Sequence, residues 1–190
     1  MSYTGTVSDV LIGHGLDQKP QMIITKNKDG EYSWTVTHFQ MNGGSAPADN
    51  GRMYLNLTSG YGVGSGLYDY AEFTDTVYSI NGDSHNLNYS GEDYIAYCFH
   101  SVEGYSKVGS YVGNGSADGT FVYTGFRPSF ILAKSLASGT SWFIKDSARS
   151  PNNVVNLRLY ANASNAEMTQ ATFHEVDFVS NGFKLRGNGS

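Results

Sequence analysis

Short apolar runs recur along the chain, each bounded by Gly, Asn, Asp or Ser. The clearest is "DYIAYCFHS" (93–101). On a strand, Tyr94, Ala96, Cys98 and His100 face one way and Ile95, Tyr97 and Phe99 the other. Both sets are largely apolar, which predicts a strand covered on both faces. Similar runs predict strands in "VSDVLIG" (7–13), 21–26, 33–38, "RMYLNL" (52–57) and "DTVYSI" (75–80). A second group falls in "GTFVYTG" (119–125), 129–134, 141–146, "NLRLYA" (156–161) and "HEVDFV" (174–179). Asp29-Gly30 between two such runs is a hairpin signal. No stretch sustains a 3.6-residue period with caps, so almost no helix is expected. The expected fold class is all-β, an antiparallel β-sandwich or jelly roll.

The two groups of strands match one another. "KPQMIITK" (19–26) parallels "RPSFILAK" (127–134), and "SWTVTH" (33–38) parallels "SWFIKD" (141–146). Pro20 and Pro128, Lys26 and Lys134, and the two tryptophans, Trp34 and Trp142, all stand 108 apart. "SYTG" (2–5) meets "SYVG" (110–113) at the same offset. Further on the offset falls to 100, with Phe73 against Phe173 and Asn81-Gly82 against Asn181-Gly182. The excess in the first copy is assigned to the Gly- and Tyr-rich stretch 59–73. This predicts two sandwich repeats, 1–107 and 108–190, or alternatively one merged sandwich, 1–190. The second copy stops before an equivalent of 93–101. That strand would be donated by another subunit, shared in a merged sandwich, or lost to truncation; an unpaired edge is the least favoured outcome.

Composition narrows the function class. The net charge is −5, and Lys and Arg form no stripe, so nucleic acid is not an expected partner. No apolar run approaches the roughly 18 residues of a membrane span, and the start of the chain lacks the pattern of a signal peptide. A single cysteine, Cys98, excludes an internal disulfide and a cysteine-based zinc site. Synthesis in a reducing cytoplasm fits. Asn-x-Ser/Thr sequences at Asn56, Asn88, Asn114, Asn162 and Asn188 read as products of loop composition rather than glycosylation sites.

From Tyr94 to Lys134 the sequence resembles a repeat domain of marine bacteriophage virion and tail-fibre-type proteins, related to concanavalin A-like lectin/glucanase sandwiches. The matching positions are Gly15, Leu16, Pro20, Lys26 and Trp34, then Gly125, Phe126, Pro128, Lys134, Trp142 and "SNGFKLR" (180–186). The resemblance spans nearly the whole chain. It implies a virion protein, made in the host cytoplasm, that contacts a host surface; it carries no catalytic set.

Retaining glucanases of the lectin-like fold carry Glu-x-Asp-x-x-Glu on one strand, with the outer carboxylates about 5–5.5 Å apart. Glu175 and Asp177 match the first two places, but Ser180 stands at the acid/base position and cannot protonate a leaving group. His14, His38, His85, His100 and His174 show no ligand spacing, and no metal site is assigned. Calcium at Asn27, Asp29 and Glu31 is a secondary possibility, since that loop lacks a dedicated calcium pattern. Trp34 and Trp142 are expected to pack in the core. Tyr61, Tyr68 and Tyr70, in the extra loop, are the expected ligand-binding residues, because loops on a rigid scaffold carry binding and Tyr gives contact area at low entropy cost. The expected function is non-enzymatic: a virion structural and adhesion protein that recognises host glycans and assembles as a homo-oligomer with other virion subunits. The alternatives are a glucanase-like enzyme and a capsid decoration or tail protein without a ligand.

Overall fold

The computed structural model describes residues 1–6, 8–41, 51–63, 69–82, 84–169 and 174–187, with the backbone alone for 63 and 69–71. The fold is all-β with almost no helix. No helix among the described residues is long and apolar enough to cross a membrane. The chain forms two compact units: Met1–His100 with Leu136–Thr140, and Ser101–Ser135 with Ser141–Ser190.

The first unit contains β1 (Ser2–Thr4), β2 (Val10–Gly13), β3 (Met22–Asn27), β4 (Thr35–His38), β5 (Gly51–Tyr54), β6 (Gly62–Val63), β7 (Asp69–Phe73), β8 (Val77–Asn81) and β9 (Asp93–Phe99). One sheet has the order β1-β9-β3-β4-β5-β6, the other β2-β8-β7. Ile12, Ile23, Tyr78, Ile80, Leu87 and Ala96 form the core, with Tyr3, Val10, Phe73 and Cys98 packed against it. Alternation along β9 sends Tyr94, Ala96 and Cys98 to this core. Burying each large side chain contributes roughly 1.5–3 kcal/mol. The opposite face of β9 departs from expectation. Tyr97 and Phe99 are exposed there, and Tyr97 stacks on Trp34 with centroids 6.5 Å apart.

The second unit contains β10 (Phe121–Tyr123), β11 (Phe130–Ala133), β12 (Phe143–Asp146), β13 (Leu157–Tyr160), β14 (Met168–Thr169), β15 (Val176–Val179) and β16 (Gly182–Leu185). Its sheets have the orders β11-β12-β13-β14 and β10-β16-β15. Ile131, Val155, Val176, Phe178, Phe183 and Leu185 form its core.

Local geometry recurs between the units. The β3–β4 ladder pairs Met22 with His38 through Thr25 with Thr35, and the β11–β12 ladder pairs Phe130 with Asp146 through Ala133 with Phe143, 108 residues on. Trp34 N–H donates to Asn56 Oδ1 (3.0 Å) and Trp142 N–H to Asn162 Oδ1 (2.7 Å). Gly15 and Gly125 both have positive φ, 66° and 86°, so both chain reversals require a left-handed residue. The ladders do not follow the offset of 100 further on. Asn81 closes β8, whereas Asn181 precedes β16. By ladder position β16 stands where β8 does: β2 pairs Ile12 with Tyr78, and β10 pairs Val122 with Phe183. Phe173 lies outside the described residues.

Four of the Asn-x-Ser/Thr asparagines have structural roles. Besides Asn56 and Asn162, the fully buried Asn88 amide donates to Ser8 O and Gly82 O and accepts from Thr6 N–H. Asn114 accepts from Ser116 N–H and donates to Asp118 O. Asn188 lies outside the described residues.

The second core holds a cationic pair where the first unit has a threonine. Lys145, 108 residues after Thr37, is fully buried, and its Nζ donates to Val155 O (3.2 Å) and Asn156 O (3.0 Å). One step beyond the Ile144–Leu159 pair, Arg158 lies beside it. Arg158 is buried, its Nε and Nη1 have no hydrogen-bond partner among the described residues, and its guanidinium lies 4.9 Å from the Tyr160 ring centroid. Desolvation, then the Arg158 charge, pushes the Lys145 ammonium down from 10.5 to about 8. The same causes, burial first, lower His174.

Below pH 8 Lys145 is charged in both folded and unfolded chains, and the fold carries the whole burial cost. Between about 8 and 10.5 the unfolded chain binds the extra proton, so stability rises with pH. A shift of this size corresponds to about 3 kcal/mol. The unfolding free energy of the wild type should therefore gain on that of Lys145→Met by up to that amount from pH 8 to 10.5 in urea titrations. A constant difference between the two proteins would refute the burial cost.

Candidate functional site

The expected tyrosines do not form a described cluster. The Tyr61 ring lies over Gly51, where an added Cβ would meet it at 2.2 Å. Its N–H donates to Leu136 O (2.8 Å). Tyr70 has its backbone in β7, opposite Ile80, with its side chain outside the described set. Tyr68 lies outside the described residues.

The best-built surface cluster lies elsewhere in the first unit, where the β3–β4 loop meets the β8–β9 loop. The His85 ring is stacked between Tyr89 (centroids 3.7 Å, interplanar 24°) and Tyr32 (4.7 Å, 10°). Tyr89 is 38% exposed, and the His85 side chain is 41% exposed. His85 Nδ1 lies 2.8 Å from Glu92 Oε1. An ionised carboxylate only accepts, so Nδ1 carries the proton and Nε2 is free to accept when the ring is neutral.

A buried network fixes this stack. Asn27, fully buried at the end of β3, donates through Nδ2 to Glu92 Oε2 (2.5 Å) and His85 O (2.6 Å). Its Oδ1 accepts from Asp29 N–H (2.8 Å), which closes the turn locally. The Tyr94 hydroxyl, carried in from β9, accepts from Tyr89 N–H (2.9 Å) and lies 3.2 Å from Glu92 Oε2 and from His85 O. Desolvation, the largest cause, raises the Tyr94 phenol well above its ordinary value, so it stays protonated. Ser84 O accepts from Leu87 and Asn88 N–H and winds the loop that carries His85 and Tyr89. Gly30 allows Tyr32 to fold back, since an added Cβ would meet its ring at 2.3 Å. The result is a polar-edged aromatic platform.

The other candidates are committed elsewhere. Asn27 holds Glu92, and Asp29 Oδ2 accepts from Asp93 N–H (2.5 Å), so two of the three calcium candidates serve the loop, while Glu31 is exposed. Among the described residues no group of three or more His, Cys, Asp or Glu could hold a metal ion. Asp177 accepts from Arg186 Nε (2.6 Å), and Ser180 lies in the β15–β16 turn. Trp142 is buried, whereas Trp34 is half-buried against Tyr97. A shallow cleft of about 240 Å³ is lined by Met1, His14, Ala96, Tyr97, Cys98 and Phe99. It offers no activated group: burial pushes the Cys98 thiol up to about 11. His14 meets Thr74 O (3.1 Å) through Nε2 and accepts from Leu16 N–H (3.1 Å) at Nδ1.

None of Tyr32, His85 and Tyr89 stood in the predicted tyrosine set. A signal was available in "SHNLNYSGEDY" (84–94), where a histidine, two tyrosines and a glutamate crowd a loop rich in turn residues. Asn27→Ala would remove one of three groups on the Glu92 carboxylate together with the bonds to His85 O and Asp29 N–H, and should cost about 2–3 kcal/mol. His85→Ala, which removes a half-exposed ring, should cost about 1 kcal/mol. Urea midpoints of the two variants give the comparison; equal losses would mean that Asn27 does not organise the network.

No curated protein and no solved structure matches the chain. Over residues 1–190 the chain belongs to the family described as Domain of unknown function (DUF7483).

Proposed function

We propose that the chain is a non-enzymatic structural and adhesive component of a bacteriophage particle that contacts host-surface glycans. The observation that carries the glycan reading is the Tyr32–His85–Tyr89 stack, exposed yet anchored from beneath by Asn27, Glu92 and Tyr94. Aromatic faces pack on the apolar faces of sugar rings, while the outward His85 Nε2 offers a hydrogen-bond acceptor to a hydroxyl. Binding sites combine such apolar area with a few placed polar groups. A rigid platform loses little entropy when it binds. The resemblance to virion repeat domains supplies the particle.

In this reading the two units are copies of one β-sandwich. The support is the shared offset of the β3–β4 and β11–β12 ladders, the two Asn–Trp clamps and the matching sheet orders. Weak single sites would act through multivalent display on a homo-oligomer or particle.

The test is a glycan array probed with the chain displayed multivalently. A reproducible glycan signal should fall at least tenfold in the Tyr32→Ala/Tyr89→Ala double variant. It should persist in a Tyr61→Ala/Tyr68→Ala/Tyr70→Ala variant. The reverse pattern would move the site to the extra loop. Absence of any signal, host envelope sugars included, would leave the structural role without the adhesive one.

A further inference from the structure

In the first unit β9 lies between β1 and β3. It pairs with β1 from Ser2–Ile95 to Thr4–Asp93, and with β3 from Met22–Phe99 to Asn27–Tyr94, antiparallel on both sides. The second unit has counterparts of both flanks. β11 stands 108 residues after β3, with the same register against its hairpin partner. Ser110–Gly113 stands 108 residues after "SYTG", the segment that contains β1. Among the described residues β11 pairs with β12 alone, and Ser110–Gly113 joins no ladder.

The hydrogen-bond phase of β11 shows which groups this leaves. Ser147 N–H donates to Ser129 O (3.0 Å), so residues 129, 131 and 133 turn their backbone groups to β12. Phe130 and Leu132 turn theirs the other way. In β3 the same phase holds: Phe39 N–H donates to Gln21 O (2.8 Å), and Lys28 N–H donates to Asp93 O (2.7 Å) on the β9 side. Ile24, the counterpart of Leu132, therefore faces β9, and at the end of the ladder Gln21 N–H donates to Phe99 O (2.7 Å). The flanks in the second unit are also apolar and uncovered: Val112 is 84% and Phe130 58% exposed. An unpaired strand edge with exposed apolar side chains is a template for another strand.

We propose that the outer edge of β11 accepts an antiparallel strand from another polypeptide, an extended segment with the alternating apolar chemistry of β9. The main chain would bond Phe130 and Leu132, and alternate side chains would fill the positions that Tyr94, Ala96 and Cys98 occupy in the first unit. This is strand addition, in which backbone bonds give affinity and alternate side chains give selectivity.

The test is amide hydrogen exchange on the full chain, with a synthetic peptide of residues 93–100 carrying Cys98→Ala. Saturating peptide should slow exchange at Phe130 and Leu132 at least tenfold. A peptide of the same composition without the alternation should not. Leu132→Pro removes one outward N–H and spares every bond to β12, a position where an edge strand tolerates proline. It should abolish the protection. If proline prevents folding, Val112→Glu on the opposite flank should weaken peptide binding at least tenfold. The proposal fails if the peptide protects neither amide, or protects the Phe130 amide equally in the proline variant, which has no amide at 132. It also fails if both amides are already protected in the dilute chain alone. Protection that grows with chain concentration without peptide would overturn it in favour of pairing between two copies.

Discussion

The first unit depends on β9. It is the longest strand described, and it comes from the far end of that unit's main segment to lie between two strands from its beginning, β1 and β3. Its Ala96 and Cys98 close the core on one face, its buried Tyr94 stacks on Tyr3 beside them, and its ladders hold the sheet together on both edges. A strand with two filled edges gains main-chain bonds along its whole length. β1, only three residues long, exists as a strand because β9 is beside it. The contrast is Ser110–Gly113, with a similar sequence, which forms no ladder among the described residues. Strand formation here is set by the partner as much as by the residues themselves.

The same strand builds the candidate site. Tyr94 faces inward at the end of β9 where the core opens to the loops. Its hydroxyl therefore finds Tyr89 N–H and the Glu92 carboxylate rather than apolar atoms. Asn27 approaches the same carboxylate from β3. A partly buried carboxylate loses water contacts that other donors must replace, and His85, Asn27 and Tyr94 supply them. The aromatic stack is thus a consequence of satisfying Glu92: the ring that completes its shell is held at an angle that Tyr32 and Tyr89 can flank.

Much of the strand pattern was legible because it is local. Apolar runs around Asp29-Gly30 and around the two tryptophans placed β3, β4, β11 and β12 within a residue or two. What was not legible depends on partners distant in sequence. β16 was not among the strands expected from the sequence; besides its hairpin partner β15 it pairs with β10, about sixty residues earlier. The outer face of β9 read as covered, because Ile95, Tyr97 and Phe99 are apolar, yet Tyr97 and Phe99 are exposed. The stack was invisible for a similar reason. Tyr32 and His85 belong to separate loops, and histidine without ligand spacing carries no signal of being stacked. Tyr61, in contrast, was chosen for its loop composition, while its ring packs onto the backbone at Gly51.

Substitution at one matched position shows how far the two cores have diverged. Thr37 is buried in the first unit, a short side chain with one hydroxyl to satisfy. Lys145 stands at the matching place with a full cation, answered by two main-chain carbonyls and opposed by Arg158 alongside. Removing a charge from water costs several kcal/mol unless a counter-charge compensates. The Glu175 carboxylate is the only influence resolved as raising the Lys145 pKa, and it is outweighed by burial and Arg158. Arg158 gains the face of Tyr160 but leaves two nitrogens without partners among the described residues. The second unit therefore meets its burial cost with fewer ladders, lacking a described strand on the outer edge of β11. Any strand added there would bring main-chain bonds to the unit that has most to gain from them.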